Sequence, residues 1–145
     1  MLTARIARDH PCAITVDATG VYIAGSGGGN WRIEKRALDT GNVVWSQTFT
    51  ELAWNSGRAP TITDVSADSS AVYVFGDYSP DGTTSDWKFV RLNAVDGSVA
   101  WSQVGGVPYG RSPGGITLDP KSVFLLGTEA NVYKFEKRHK FNGGL

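Results

Sequence analysis

Short apolar runs alternate with turn-forming residues along this chain, and the runs recur. Ile14-Thr15-Val16-Asp17 leads to Val21-Tyr22-Ile23-Ala24-Gly25, and Val65-Ser66-Ala67-Asp68 leads to Val72-Tyr73-Val74-Phe75-Gly76. A third copy runs from Ile116-Thr117-Leu118-Asp119 to Val123-Phe124-Leu125-Leu126-Gly127. The Asp residues are evenly spaced, 51 residues apart (68 − 17 and 119 − 68), and a Val, an aromatic and a Gly recur in step with them. Runs this short, rich in β-branched and aromatic residues and bounded by Gly, Asp and Asn, predict strands. No stretch carries the 3.6-residue period of an amphipathic helix.

The second half of each unit repeats as well. Trp31-Arg32-Ile33-Glu34-Lys35 matches Trp87-Lys88-Phe89-Val90-Arg91 and Tyr133-Lys134-Phe135-Glu136-Lys137. Gly41-Asn42-Val43-Val44-Trp45-Ser46-Gln47 matches Gly97-Ser98-Val99-Ala100-Trp101-Ser102-Gln103. The first unit therefore predicts four strands, at Ala13 to Val16, Val21 to Ala24, about Trp31 to Leu38 and about Val43 to Thr48. In the third strand, Trp31, Ile33 and Lys35 share one face and Arg32, Glu34 and Arg36 the other. Asp17-Ala18-Thr19-Gly20 and Asp39-Thr40-Gly41-Asn42 are expected as hairpin turns, with Gly relieving a positive φ and Asp capping its own turn.

The expected fold class is all-β, a single domain of four-stranded antiparallel units. Two are complete, over about residues 12–49 and 62–104. A third, over about 115–145, is cut short: Gly143 falls where Gly41 and Gly97 sit, and Leu145 follows before a fourth strand. One such sheet cannot bury both faces alone, so stability must come from stacking on its neighbours.

The stretch Ala37-Leu38-Asp39-Thr40-Gly41-Asn42-Val43-Val44-Trp45 resembles the tryptophan-docking motif of quinoprotein-like (PQQ-type) β-propeller repeats, and Ala94-Val95-Asp96-Gly97-Ser98-Val99-Ala100-Trp101 is a looser copy. The run from Val16-Asp17 to Gly25 is similar to the seven-bladed propeller repeat called SBBP. The resemblance implies a β-propeller segment of two full blades and a truncated third, in which Gly41 and Gly97 make turns and Trp45 and Trp101 dock between blades. It also implies a secreted or cell-surface setting. A quinone-dependent dehydrogenase of this kind is expected to carry adjacent cysteines and a calcium ligand set. The chain has one cysteine and no evident ligand set, so the expectation is a repeat without a cofactor.

Composition narrows the partners. The 14 basic and 14 acidic side chains balance to zero, without the basic excess by which nucleic-acid binders neutralise phosphates. No apolar run approaches the ~20 residues of a membrane span, and Met1 to His10 has no apolar stretch of signal-peptide length. Cys12 has no second cysteine to pair with and is expected as a small buried hydrophobe beside Pro11. Propellers close with about 4–8 blades. Three readings of the partial ring therefore stand: a piece of a longer protein, a homodimer closing a six-bladed ring, or an open arc. In the homodimer, Leu2, Ala4 and Ile6, alternating with Thr3, Arg5 and Ala7, are expected to supply the outer strand of the partner's third blade.

Binding residues are expected on the long connections between units. Trp54-Asn55-Ser56-Gly57-Arg58-Ala59-Pro60 and Tyr109-Gly110-Arg111-Ser112-Pro113 each place an Arg shortly before a Pro, as Arg8-Asp9-His10-Pro11 does. The candidate ligand-binding residues are Trp54, Arg58, Tyr109 and Arg111, whose aromatic and guanidinium groups suit a sugar or an acidic ligand. The alternative is that Arg ties the connection's carbonyls together and Pro stiffens it. Asp17, Asp68 and Asp119, with Lys35, Arg91 and Lys137, recur in step and are expected to make hydrogen bonds or ion pairs within each blade. The carboxylates from Asp77 to Asp86 lack EF-hand spacing and are read as a solvated turn. Gly25 to Asn30 joins two strands and is read as a hairpin, not a phosphate loop. Lys137-Arg138-His139-Lys140 is read as a solvated edge. His10 and His139 have no zinc-like spacing. No catalytic residue is assigned. The expected function is a non-catalytic propeller scaffold for a protein or glycan partner. The alternative is a fragment of a PQQ-like oxidoreductase or hydrolase whose active centre lies outside this segment.

Overall fold

A computed structural model describes residues 9–27, 30–50, 60–78, 86–105 and 111–145. Among the described residues every regular element is a strand. β1 (Asp9–Asp17), β2 (Gly20–Gly27), β3 (Asn30–Arg36) and β4 (Val43–Phe49) form the first sheet. β5 (Ile62–Ala67), β6 (Ala71–Tyr78), β7 (Asp86–Asn93) and β8 (Val99–Val104) form the second. β9 (Arg111–Leu118), β10 (Ser122–Glu129) and β11 (Val132–His139) form the third. Each sheet is an antiparallel meander in chain order. No helix among the described residues is long and apolar enough to cross a membrane. Leu2, Ala4 and Ile6 lie outside the described residues.

The turn after each first strand is made by its Asp. Asp17 Oδ1 accepts hydrogen bonds from the amides of Thr19 (2.6 Å) and Gly20 (3.1 Å) and from the Thr19 hydroxyl (2.8 Å). Asp68 Oδ1 does the same with the Ser70 amide (3.0 Å) and hydroxyl (2.7 Å) and the Ala71 amide (3.1 Å). Asp119 Oδ1 accepts from the amides of Lys121 and Ser122. A carboxylate that takes up turn amides favours the tight turn over other local conformations. The sequence leads one to expect a positive φ at Gly20, but among the described residues the left-handed glycines are Gly41, Gly97 and Gly143, at φ 71°, 74° and 69°. Gly20 is small for a different reason: a Cβ there would lie 2.7 Å from the Lys35 side chain and 2.9 Å from the Arg36 carbonyl.

A bulge interrupts the first strand of every sheet. Pro11 pairs with Gly25 and Ala13 with Ala24, which leaves Cys12 unmatched. The same shift falls between Ile62 and Asp64 in β5, and where Pro113 and Gly115 in β9 face Gly127 and Leu126. The extra residue bends the strand and lets pairing continue beyond it, so β1 begins at Asp9 rather than at Ala13. It also corrects the reading of Cys12. The thiol is exposed and donates to the His10 carbonyl at 3.2 Å, because a bulge residue is turned out of the regular inward and outward alternation.

The sheets are stacked. β1 lies beside β5 and β5 beside β9, and two apolar clusters fill the spaces between them. Tyr22, Ala24, Trp31, Ile33, Trp45 and Phe49 of the first sheet meet Ile62, Val65, Val72, Val74, Val90 and Leu92 of the second. The opposite face of the second sheet, with Tyr73, Phe75, Trp87 and Phe89, meets Val123 and Leu125 of the third. The middle sheet is thus covered on both sides, and β6 reads as an almost unbroken buried run, Ala71 to Asp77.

Candidate functional site

Each junction between sheets is locked by one tryptophan. Trp45 on β4 donates from Nε1 to the Ala94 carbonyl (3.1 Å) in the turn between β7 and β8. Trp101 on β8 donates to the Lys140 carbonyl (3.2 Å) in the turn after β11. Those turns close on Gly97 and Gly143, and a Cβ at either position would fall 2.6 Å from the Trp45 ring or 2.8 Å from the Trp101 ring. Only glycine meets both demands, the positive φ and the ring laid against it. Gly41 makes the same turn in the first sheet, with no ring of the described residues upon it.

The recurring basic residues fall into different contacts. Lys35 is buried, lies over the Tyr22 ring at 5.5 Å, and donates to the Thr19 hydroxyl (3.1 Å) and across the junction to the Ala94 carbonyl (2.9 Å). Arg91 donates to the Tyr73 hydroxyl at 3.4 Å. Lys137 lies over the Phe124 ring at 5.7 Å. The run Lys137-Arg138-His139-Lys140 is therefore not one solvated edge. Lys137 and His139 are exposed, while Arg138 and Lys140 are tied into the fold because strand alternation sends neighbours to opposite faces. Lys140 Nζ pairs with Asp68 Oδ2 of the second sheet at 2.7 Å. Burial pushes the Asp68 carboxyl up, but hydrogen bonds from Lys140 and Ser70 outweigh it and hold the group below the usual carboxylate range.

A second constellation recurs in two of the three sheets. On β3, Glu34 is buried between Arg32 and Arg36, with its two oxygens each 2.6 Å from one guanidinium. Burial raises its carboxyl, yet the two arginines overcompensate and leave it lowered. Arg36 also donates to the Gly41 carbonyl at 3.1 Å. On β11, Glu136 sits between Lys134 and Arg138, and Arg138 donates to the Gly143 carbonyl at 3.0 Å. The middle sheet has Val90 and Leu92 at the corresponding positions, both fully buried. The signal was in the sequence, as alternate basic, acidic and basic residues with a strand's period of two, but it did not repeat in all three units. Asp64 is a further polar link without a counterpart in the other sheets. Its Oδ2 accepts from the Ile116 amide at 2.9 Å and joins β5 to β9.

Corresponding apolar positions are covered at the junctions and open on the two outer faces of the stack. Val65 is 4 % exposed against the first sheet, whereas Ile14 at the corresponding place is 69 % exposed. Phe89 is 2 % exposed against the third sheet, whereas Phe135 at the corresponding place is 66 % exposed. On the third sheet's outer face, Phe124 and Phe135 stack at 5.8 Å with an interplanar angle of 15°, and Tyr133 stands beside them in the open.

Of the candidate ligand-binding residues, Trp54, Arg58 and Tyr109 lie outside the described residues. Arg111 opens β9, where its backbone faces Glu129 in register. Asp77 ends the buried run of β6 and Asp86 begins β7, both buried, and most of the loop between them lies outside the described residues. Among the described residues no three His, Cys, Asp or Glu side chains are grouped to hold a metal ion. A recess at the second junction, against Phe75, Trp87, Phe89 and Arg138, measures about 10 Å³, room for one water molecule. No family model matches the chain, and no curated protein matches it.

Proposed function

We propose that the chain is a β-propeller segment of the quinoprotein-like or SBBP type, each sheet a blade, that serves as a non-catalytic scaffold for a protein or glycan partner. The observation that carries this reading is how the recurring polar groups are used. Asp17, Asp68 and Asp119 hold turns, and Lys35, Trp45 and Trp101 reach carbonyls of the next sheet. Repeated residues employed this way build a frame, and frames of stacked sheets carry their ligands on the connecting loops. The arrangement of β1, β5 and β9 side by side supports first strands at the inside of a fan of blades. Trp54, Arg58, Tyr109 and Arg111, on or beside the connections between sheets, are the residues assigned to the ligand. An aromatic face and a guanidinium suit a sugar ring, the first by stacking and the second by paired hydrogen bonds.

A glycan array probed with the intact chain, with Trp54→Ala and with Arg58→Ala tests the assignment. Signal from the intact chain that both variants lose, with unchanged circular dichroism, is the expected result. A folded chain that gives no signal on any glycan would remove the sugar-binding reading.

A further inference from the structure

The outer face of the first sheet is built like a face that, elsewhere in this chain, is covered. Across β1, β2 and β3, Ile14, Ile23 and Glu34 stand in one cross-strand row. Across β9, β10 and β11, Ile116, Leu125 and Glu136 stand in the same row. Glu136 is flanked by Lys134 and Arg138 as Glu34 is by Arg32 and Arg36. The third sheet's version is docked under the aromatic face of the second sheet, with Lys134 over the Trp87 ring at 5.9 Å. In the middle sheet the residue at the same strand position, Lys88, likewise lies over Phe49 of the sheet before it, at 5.5 Å. At both internal junctions, then, this position holds a cation against an aromatic ring of the preceding sheet. Arg32 holds the position in the first sheet, where its side chain is 38 % exposed.

The outer face of the third sheet supplies the other half. Tyr133 corresponds to Trp31 and Trp87, Phe135 to Ile33 and Phe89, and Lys137 to Lys35 and Arg91. Tyr133 is 86 % exposed, while both tryptophans at its position are buried under a following sheet.

We infer that the third sheet of one copy docks on the first sheet of a second copy, head to tail, in the register of the internal junctions. Tyr133 and Phe135 cover Ile14, Ile23 and the Glu34 cluster. Arg32 lies over the Tyr133 ring as Lys134 lies over Trp87. Lys137 donates to the partner's Leu38 carbonyl as Lys35 donates to that of Ala94. The interface is heterologous, one face of each kind, so two copies that close on each other contain it twice. The inference rests on the stacked-sheet part of the proposed function and not on its ligand.

The test is the mass of the intact chain by sedimentation velocity across a concentration series, with two single variants at exposed positions. The expected wild-type species has twice the 15.5 kDa chain mass, or a series of longer multiples. Phe135→Asp and Ile14→Asp, each alone, are expected to shift the chain to monomer with unchanged circular dichroism. Mixed together they regain a species of twice the chain mass, because each retains the face that the other lacks. The double variant stays monomeric in every mixture with itself. A folded wild-type monomer at every concentration would overturn the inference. So would a dimer that both substitutions leave intact, or one that mixing fails to restore. A monomer that still binds glycans would remove this inference alone, whereas a dimer silent on the array would remove only the sugar reading.

Discussion

The two junctions between sheets share a backbone device and differ in what they enclose. The first sets Trp31, Ile33 and Trp45 against Val72, Val74, Val90 and Leu92, and its polar contacts are carried by the buried Lys35 and Lys88. The second sets Phe75, Trp87 and Phe89 against Val123 and Leu125, and adds the Lys134, Glu136 and Arg138 cluster and the Lys140–Asp68 pair. One position separates them most clearly, Val90 at the first junction and Glu136 at the second, both buried. Docking by a tryptophan on a glycine turn thus tolerates either a hydrocarbon or a charged interior. A charge can replace a valine there only because two basic neighbours and a ring face accompany it.

The largest expected effect breaks the first junction. Trp45→Ala removes a buried indole and its hydrogen bond to Ala94, and should lower stability by about 3–5 kcal/mol, read as a shift in the urea midpoint. Trp101 is only partly covered, so Trp101→Ala should lower it by less, about 2–3 kcal/mol. Equal losses would mean that the two junctions are energetically alike.

The turns provide a finer comparison. Gly97→Ala meets both a left-handed φ and the Trp45 ring, and should destabilise by about 3 kcal/mol. Gly41→Ala meets the same φ with no ring of the described residues against it, and should destabilise by about 1–2 kcal/mol. The difference between the two midpoints measures the docked tryptophan directly.

Converting one junction into the other sharpens the contrast further. Glu136→Val alone leaves Arg138 without its carboxylate and should cost about 2 kcal/mol. Glu136→Val combined with Arg138→Leu reproduces the Val90 and Leu92 pattern and should be neutral or stabilising. Thermal melts of the single and double variants distinguish these outcomes. If the double variant is the less stable, the cluster is indispensable to the junction.

The smallest effect is acid sensitivity. Asp68 is held below its ordinary value when folded, so it contributes stability that is complete above its unfolded pKa, near 4, and is lost as pH falls through the lower folded pKa. The pair is partly exposed, so the Lys140 share should be below about 1 kcal/mol. Lys140→Met should therefore flatten the fall in melting temperature between roughly pH 5 and pH 2. Acid sensitivity identical to wild type would mean that the turn amides alone set the Asp68 value.

Much of the fold was legible because its signals are local. A strand announces itself by alternation, and a turn by the residue that caps it. The offset between Asp17, Asp68 and Asp119 therefore marked three hairpins that the structure makes with the same carboxylate oxygen. The candidate site was less legible. For Trp54, Arg58 and Tyr109 the only signal is the recurrence of an Arg before a Pro on the connections, and these three lie outside the described residues. The Glu34 and Glu136 clusters leave no full repeat signal, because the middle unit has Val90 in place of the acid. Asp64 leaves no repeat signal, since Ala13 and Gly115 hold its place in the other units.

From the sequence alone came the strands, their order and the two unlike faces of each, since a period of two separates neighbouring side chains whatever surrounds the sheet. Tertiary structure decided what lies against each face. Glu34 and Glu136 occupy matching positions, with matching neighbours. One lies on the outer face of the stack and the other under Trp87, because only the stacking order supplies a preceding sheet to the second. Cys12 is exposed because the register against β2 shifts at that point. Lys140 reaches Asp68, 72 residues away in the chain, because stacking brings a turn of the third sheet to a turn of the second. Contacts of this kind depend on which surfaces meet, and alternation along a strand carries no information about its neighbour's identity.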